Sequence, residues 1–442
     1  MLASRKTTLI LASLLAALSL ALIALVRKYA NPDRYRPEVI SYLEAKTGKQ
    51  IEVGHLGVSW IPLSIRLDNF ASKNPKPFPS GYFLKISRVD AVIDAVSLLQ
   101  RKIVIESITL HDPIINVISD PDGLWNFENQ PTRTSPERAP IFSLGVISRV
   151  EITGGQLFAS ALIDPSDRPG PVVLEVHNLG ATLKRVDFEA FVGVPSSMVG
   201  QGDMTADSLR FGSIQATNVK SQLRLMGKQV FFDGVSVEAD GGHAVGDLSF
   251  NLAGPNTSFT TNATTQGIDV AHLLAAAFPA ARGKMTGTME GEFKFAGEVE
   301  HSFHPLAGIH GTGSLIVRKG ELPTLNLNDN VVNLARLRKH GSVAQDPAAF
   351  ISVSADLNLS HQSISSREIN ILGYGVDIQC SGSVGVTGGA LDYQGLANIL
   401  TKQGFFTNIA ARMSGARLVN GKLSFPIRIA GTLQAPKFSV AD

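Results

Sequence analysis

The residues best suited to bind a metal ion are three histidines in the second half of the chain. His301, His304 and His310 lie close together in the sequence, and imidazole nitrogens at such separations can ligate zinc. If this segment forms a strand, however, residues three apart point to opposite faces and cannot share one ion. Only a loop could bring their rings together. We therefore predict no metal site here.

Two short motifs suggest other ligands. Residues 120–123, with the sequence Asp-Pro-Asp-Gly, resemble the start of a calcium loop, but the later ligand positions and the closing glutamate are missing. The glycine-rich residues 308–313 precede a predicted strand, so no helix N-terminus is in place to bind phosphate. The sequence contains neither Gly-x-Ser-x-Gly nor His-Glu-x-x-His. We predict no catalytic, cofactor-binding or metal-binding residues, and no enzymatic activity.

Composition narrows the remaining classes of function. Of 442 residues, 44% are hydrophobic and 18% are charged, with a formal net charge of +2. A nucleic-acid-binding protein needs a concentrated patch of Lys and Arg, and the sequence has no basic block. The only cysteine, Cys380, excludes an intramolecular disulfide and a multi-cysteine zinc site. The composition is that of a chain with a large apolar core and no nucleic-acid partner.

The N-terminus predicts a membrane anchor. Residues 9–26 contain only Leu, Ala, Ile, Val and two serines, and eighteen residues of helix span about 27 Å, enough for a hydrocarbon core. Arg27 and Lys28 end the run. The alternative is a signal peptide cleaved after Ala21, and the balanced flanking charges leave orientation open. The predicted anchor positions are Leu9, Leu14, Leu20 and Val26.

Most of the chain after the anchor has the period of β-strands. A short helix is predicted from Asn31 to Gly48, with further helices at 97–101, 269–278, 325–339 and 406–413. From Gln50 onward, apolar and polar residues alternate, which is typical of strands with one apolar and one solvated face. We predict a mainly β, antiparallel-rich fold with a few short helices.

Two segments show this alternation most clearly, around residues 285–295 and 351–359. Their apolar residues are our candidates for the lining of a groove: Met289, Phe293, Phe295, Ile351, Val353, Leu357 and Leu359. A curled open sheet would leave such a face free for acyl chains, whereas a closed β-sandwich or barrel would use the same residues as dry core. Alternation alone does not separate these two. Strand spacing sets an upper limit of roughly 22–27 strands and a trough of about 105–130 Å.

Short motifs follow one another in a characteristic order near both ends of the chain. Near the N-terminus these are Asn31-Pro32-Asp33, Thr47-Gly48, Trp60-Ile61-Pro62-Leu63, Asn74-Pro75 and Asp122-Gly123-Leu124-Trp125-Asn126-Phe127. Near the C-terminus they are Gly311-Thr312-Gly313, Lys319-Gly320-Glu321-Leu322 and Gly431-Thr432-Leu433-Gln434-Ala435-Pro436. In this order the motifs resemble those of the AsmA family of anchored envelope proteins. The domain organisation that follows is a cytoplasmic tip and transmembrane anchor at 1–28, an AsmA-like module at 29–128, a proline-rich linker at 129–140, and a β-rich body with an AsmA-like C-terminal module at 141–442.

The resemblance implies a location and a function. Family members are single-pass inner-membrane proteins with the body in the periplasm, and they act in outer-membrane biogenesis. Their long curled sheet with an apolar groove is similar to that of bridge-like lipid transfer proteins. The resemblance therefore implies that the chain holds or transfers phospholipid, with the inner membrane and phospholipid acyl chains as partners. The alternative is a scaffold that assists assembly of outer-membrane proteins and contacts other envelope proteins.

Overall fold

The computed structural model describes most of the chain beyond the predicted anchor. The described residues are 32–94, 97, 103–120, 124–127, 142–143, 146–162, 172–187, 199–227, 229–251, 257–277, 281–298, 308–323, 349–360, 363–386, 388–400, 417–419 and 422–440. The linker at 129–140, the helices at 325–339 and 406–413, and all of the helix at 97–101 except Ser97 lie outside these ranges.

The predicted N-terminal helix is confirmed. A 3-10 helix at Pro32–Tyr35 leads into α1 at Arg36–Thr47. A proline is tolerated in the first turn because its missing N–H would have no partner in the helix. Gly48 ends α1 in the left-handed conformation, with φ 65° and its N–H donated to the carbonyl of Glu44 at 2.8 Å.

Strands make up most of the described residues, as the sequence predicts. They are β1 (Ile51–Glu52), β2 (His55–Trp60), β3 (Leu63–Lys73), β4 (Tyr82–Ile93), β5 (Ile103–His111), β6 (Ile114–Ser119), β7 (Phe142–Ser143), β8 (Val146–Ala161), β9 (Val172–Asp187), β10 (Val199–Phe211), β11 (Ile214–Met226), β12 (Gln229–Ala239), β13 (Gly242–Asn251), β14 (Ser258–Asp269), β15 (Thr288–Glu298), β16 (His310–Glu321), β17 (Ala349–Leu359), β18 (Ser363–Gly373), β19 (Val376–Gly385), β20 (Ala390–Leu400), β21 (Arg417–Val419), β22 (Lys422–Thr432) and β23 (Pro436–Val440). Helix α2 (Val270–Ala277) follows β14.

All 23 strands belong to one sheet, in which almost every strand pairs with its neighbours in sequence. From β8 to β20 the pairing is antiparallel throughout. Strands β5 and β6 pair in parallel with β8. The sheet therefore runs without interruption from the AsmA-like module into the predicted body.

Several strands share one position in the sheet. Strands β1 and β2 lie end to end beside β3, β5 and β6 lie beside β8, and β21 and β23 lie beside β22. The described strands thus occupy nineteen positions side by side. Eighteen spacings of about 4.8 Å give a sheet about 86 Å long, shorter than the upper limit set by the sequence.

Irregularities recur along the strands at comparable places. Register shifts interrupt β8–β9, β11–β12, β12–β13, β14–β15, β17–β18 and β18–β19. Left-handed residues such as Asn178, Asn218 and Lys319 lie in or beside these strands. A β-bulge bends its strand and increases the local twist.

Candidate functional site

One face of the described sheet is predominantly apolar. Its most buried part is a line of register partners that crosses eight strands, and each member is at most 8% exposed. We call it the buried row, and its members are Ile268, Met289, Val317, Val353, Ile371, Ile378, Ala397 and Phe425. Full burial of an apolar side chain of this size stabilises the fold by about 1.5–3 kcal/mol.

Helix α2 covers one end of the buried row. Asp269 caps the helix, because its Oδ1 accepts the N–H of Ala271 at 2.8 Å. Leu273 and Leu274 then pack against the buried cluster. The helix was predicted at 269–278 and is observed at Val270–Ala277.

Beyond the buried row, most of the apolar face of β14 to β17 is half-buried. Phe293, Phe295, Leu315 and Leu357 occupy this part of the face, and no second sheet lies on it among the described residues. The register partners traced from β8 to β22 place no charged side chain on this face within the described strands. The face offers contact to apolar groups and no charge for catalysis.

Three aromatic rings on this face pack against glycines on the neighbouring strand. The ring of Phe293 lies over Gly313, where an added Cβ would be 2.6 Å from Cδ1 of the ring. The rings of Phe295 and Tyr393 also contact their glycine register partners, Gly311 and Gly382, where an added Cβ would be 2.9 Å and 2.8 Å from Cδ1. Such aromatic–glycine pairs restore packing that the glycine lacks.

A second aromatic group extends the half-buried surface toward the N-terminal half. Phe232, Phe250 and Phe259 are contributed by β12, β13 and β14, with ring centroids 6.2 Å and 6.4 Å apart. Phe293 and Phe295 stack at 5.7 Å on β15. Sequence reasoning had not identified the first three, although Phe250 and Phe259 are register partners in segments of the same alternation.

Six of the seven predicted groove residues lie on the apolar face. Met289, Val353 and Leu359 are buried, at 4%, 7% and 6% exposure, whereas Phe293, Phe295 and Leu357 are half-buried. The seventh needs a correction, which the β-bulge in β17 explains.

Ile351 lies on the polar face and is 41% exposed. The register of β17 with β18 shifts between Phe350 and Ser352, so that one extra residue is accommodated there. Phe350, at 1% exposure, takes the apolar-face position that strict alternation would assign to Ile351.

The opposite face carries the ion pairs of the strands. Examples are Arg210 with Glu175, Arg224 with Asp233, and Lys422 with Asp377 at 2.8 Å. The first two pairs join neighbouring strands, whereas Lys422 on β22 reaches across β20 to Asp377 on β19; all three lie on the solvated side of the sheet. They are partly exposed, so each adds little to stability.

The most elaborate polar group, formed by β3, β4, β5 and β8, was not predicted from the sequence. The Asp90 carboxylate contacts Nε of Arg66 at 3.0 Å, Nε of Arg88 at 2.9 Å and Nε2 of His111 at 3.0 Å. The other ring nitrogen of His111 lies 3.2 Å from Oγ1 of Thr153. The residues are too far apart in sequence to form a recognisable motif.

This group has the order of a carboxylate–imidazole–hydroxyl relay, but its charges serve a different purpose. Partial burial raises the pKa of Asp90, yet the hydrogen bond and charge of Arg66, the charge of Arg88 and the hydrogen bond of His111 outweigh this and hold the pKa below its ordinary value. Two guanidinium groups thus neutralise the carboxylate that a relay would use to stabilise an imidazolium. We interpret the group as a clamp that joins four strands.

The other segments considered in the sequence as calcium, phosphate or metal sites are placed as follows. Asp120 is buried, and its Oδ1 accepts the N–H of Leu124 at 2.8 Å; residues 121–123 lie outside the described ranges. Residues 310–313 begin strand β16. His301 and His304 are also outside the described ranges. Among the described residues, no three His, Cys, Asp or Glu side chains are grouped so that they could hold a metal ion.

Cys380 lies on the apolar face, beside the buried row. It is 6% exposed, and burial raises the pKa of its thiol to about 11. A thiol with this pKa is almost entirely protonated at neutral pH and is a poor nucleophile.

The predicted anchor residues Leu9, Leu14, Leu20 and Val26 lie outside the described ranges. Among the helices that are described, none has the length and hydropathy needed to cross a bilayer.

Comparison with known protein families gives a match for the N-terminal part of the chain. The model of the AsmA family matches residues 1–140. The resemblance predicted from the sequence is thus confirmed over a range that includes α1 and strands β1 to β6. The C-terminal motifs lie outside the match, and their resemblance stays a prediction. No curated protein matches the chain.

Proposed function

We propose, on the basis of the AsmA family match and the apolar face, that this chain is an anchored envelope protein that holds or transfers phospholipid. In this proposal, residues 9–26 remain as a single-pass inner-membrane anchor and the body lies in the periplasm. The acyl chains lie on the half-buried part of the apolar face, and the protein acts in outer-membrane biogenesis.

The observation that carries the proposal is an apolar face with no partner sheet. A β-sandwich covers such a face with a second sheet, and here all the described strands belong to one sheet. Large contiguous apolar surfaces are rare on soluble proteins unless they bind something. The absence of charge along the traced registers favours acyl chains over a polar ligand.

The β-bulges support a curled sheet. In β14, β16 and β17, the apolar-face residues on either side of a bulge are three positions apart in sequence, for example Val317 and Gly320. Two consecutive residues, such as Arg318 and Lys319, therefore lie on the polar face. The extra residue bends the strand and increases its local twist. Repetition of this device from strand to strand would curl the sheet.

In this proposal the protein binds phospholipid and catalyses no reaction. Acyl chains are recognised by burial of apolar surface, which requires no reactive group. The partners are then the inner membrane and the phospholipid acyl chains. The alternative function is a scaffold for assembly of outer-membrane proteins, in which a polypeptide, not lipid, would cover the apolar face.

Co-purified lipid tests the proposal with a matched pair of variants on β16. Leu315 lies on the apolar face and Ile316 on the polar face, where it is 37% exposed. We expect the full chain, extracted in mild detergent, to carry phospholipid detectable by mass spectrometry. Leu315→Glu should remove most of it, because a buried carboxylate is incompatible with acyl chains, whereas Ile316→Glu should not. Equal lipid content in both variants, or none in the wild type, contradicts the proposal.

A further inference from the structure

The turn between β2 and β3 exposes an apolar tip. Ile61 is 91% exposed, more than any other large hydrophobic residue among those described, and Pro62 beside it is also exposed. Two-residue turns between antiparallel strands normally carry Gly, Asn or Asp, which are polar or small. An isoleucine at such a position gains nothing from the fold, because it has almost no intramolecular contact.

The tip belongs to β2, the strand to which the segment after the predicted anchor is attached. The 3-10 helix at Pro32–Tyr35 contacts β2, since the Asp33 carboxylate accepts the N–H of Leu56 at 2.9 Å. Leu56 is five residues from Ile61, which corresponds to about 17 Å along a strand. Five residues separate Pro32 from Val26, the last apolar residue of the anchor, and these six Cα–Cα steps can span at most about 20 Å. The tip therefore lies within roughly 40 Å of the end of the predicted anchor.

Other exposed apolar residues lie at the same end of the neighbouring strands. Val104 at the start of β5 is 39% exposed, and Val146 at the start of β8 is 59% exposed. Val104 pairs with Ser143 of β7, three residues before Val146, so the two valines lie near the same end of the sheet without being register partners. The antiparallel pairing of β3 with β4 and of β4 with β5 brings them to the same end of the sheet as Ile61.

The apolar face also reaches this edge. Val58 on β2 pairs with Ile65 on β3, which pairs with Ala91 on β4. Val58 is 38% exposed, because β2 is an edge strand with only β3 beside it in the sheet. The face that we propose to hold acyl chains thus extends to Val58, three residues from Ile61.

We infer that the β2–β3 tip inserts into the interfacial layer of the bilayer that anchors the chain, and that it forms the point at which acyl chains pass between this bilayer and the apolar face. The inference rests on the proposed function, because it requires residues 9–26 to be a membrane anchor. Exposed apolar side chains at a membrane surface are stabilised by transfer out of water. A second protein could also cover a tip of this kind, but the short distance from the predicted anchor favours the bilayer.

Fluorescence quenching in a bilayer tests the inference on the full chain. The variants carry Cys380→Ser and one new cysteine, either Ile61→Cys or Tyr374→Cys, labelled with nitrobenzoxadiazole. Tyr374 is the control, because it is also an exposed apolar residue in a turn, at 56%, but lies between β18 and β19, far along the sheet. The labelled protein is reconstituted in phosphatidylcholine nanodiscs that contain a phosphatidylcholine with a nitroxide near the glycerol end of the acyl chain.

We expect the label at position 61 to be blue-shifted and quenched by the nitroxide lipid, and the label at position 374 to be neither. A second variant, Ile61→Asp, should slow the movement of fluorescent phospholipid from donor nanodiscs onto the protein, whereas Tyr374→Asp should leave the rate unchanged. Both substitutions are at exposed positions, so the fold should tolerate them.

Two results would overturn the inference. An unquenched label at position 61 shows that the tip does not touch the bilayer, and quenching at both positions shows that the body lies flat on it. The lipid content of the same preparations separates the two proposals. If phospholipid is bound but position 61 is unquenched, only the inference fails, whereas absence of bound phospholipid refutes the proposed function itself.

Discussion

The packing of Phe293 on Gly313 predicts a specific energetic coupling between β15 and β16. A Cβ at position 313 would be 2.6 Å from Cδ1 and 3.3 Å from Cε1 of the ring, far inside van der Waals contact. Overpacking of this kind costs about 1–3 kcal/mol. Alanine has less conformational freedom to lose on folding than glycine, which offsets this by about 0.5–1 kcal/mol. Gly313→Ala should therefore destabilise this part of the sheet by about 1–2 kcal/mol.

The same substitution should be nearly neutral once the ring is gone. In a Phe293→Ala background the clash with the ring disappears, and the nearest remaining atom is the carbonyl oxygen of Glu292 at 3.0 Å. The double-mutant cycle should give a coupling free energy of about 1–2 kcal/mol. Gly200→Ala is the matched control, because its added Cβ would be 3.5 Å from Cγ2 of Val186, an ordinary contact. We expect this control to be neutral or slightly stabilising.

Hydrogen exchange of the β15 and β16 amides measures these free energies locally. A local measurement is needed because each strand mainly contacts its neighbours, so that the sheet can open in parts. A change of 1.4 kcal/mol corresponds to a tenfold change in protection. If Gly313→Ala weakens protection equally in both backgrounds, within about 0.5 kcal/mol, the ring does not lie on Gly313 and the described packing of β15 against β16 is refuted.

Three further predictions concern ionisable groups. The pKa of Asp90 lies below its ordinary value, so its contribution to stability is full above about pH 4 and is lost as the pH falls through the folded value. Asp90→Asn should thus lower the free energy of opening of β3 to β5, measured by hydrogen exchange, by about 1–2 kcal/mol at pH 7. The difference between the variant and the wild type should be smaller in acid. A difference that stays the same at low pH would contradict the role of this group as a clamp. Cys380, with a pKa of about 11, should resist maleimide labelling in the native protein at pH 7 and react only in denaturant; rapid native labelling would show that the apolar face is open to water at this point. His301→Ala and His304→Ala should each support growth of a strain that depends on this protein, and loss of function in a stable, correctly localised variant would revive a metal site.

The sequence was sufficient to predict the class of fold and most of the apolar face. Alternation over residues 285–295 and 351–359 predicted strands, and the structure has β15 and β17 there. Burial of Met289 and Val353 follows from the same pattern, because side chains two apart share a face. Gly48 likewise marked the end of α1.

The sequence could not place the bulges, and each bulge reverses the assignment of faces beyond it. Ile351 was assigned to the apolar face because it is two residues from Val353, but the extra residue in β17 moves it to the polar face. Contacts between residues that are far apart in the sequence could not be predicted either. Asp90, His111 and Thr153 meet only because β5 pairs with both β4 and β8.

The described sheet is shorter than the upper limit set by the sequence for a related reason. The estimate assumed that each strand occupies its own position, whereas β1 and β2 share one, as do β5 and β6. Turns and bulges place two short strands end to end beside the same neighbour. Hydrophobic periodicity does not distinguish this arrangement from two strands that lie side by side.

Site-specific photo-crosslinking in cells tests the central proposal, that acyl chains lie on the apolar face, most directly. Crosslinking side chains would be placed at Phe293 and Leu357, which are half-buried on this face, because Val353 is too buried to be replaced safely. Lys294 and Thr288 are the controls, as exposed neighbours on the polar face of β15. The account predicts phospholipid adducts by mass spectrometry at positions 293 and 357 and none at 294 or 288. Protein adducts alone at 293 and 357, or no adducts at either, would contradict it.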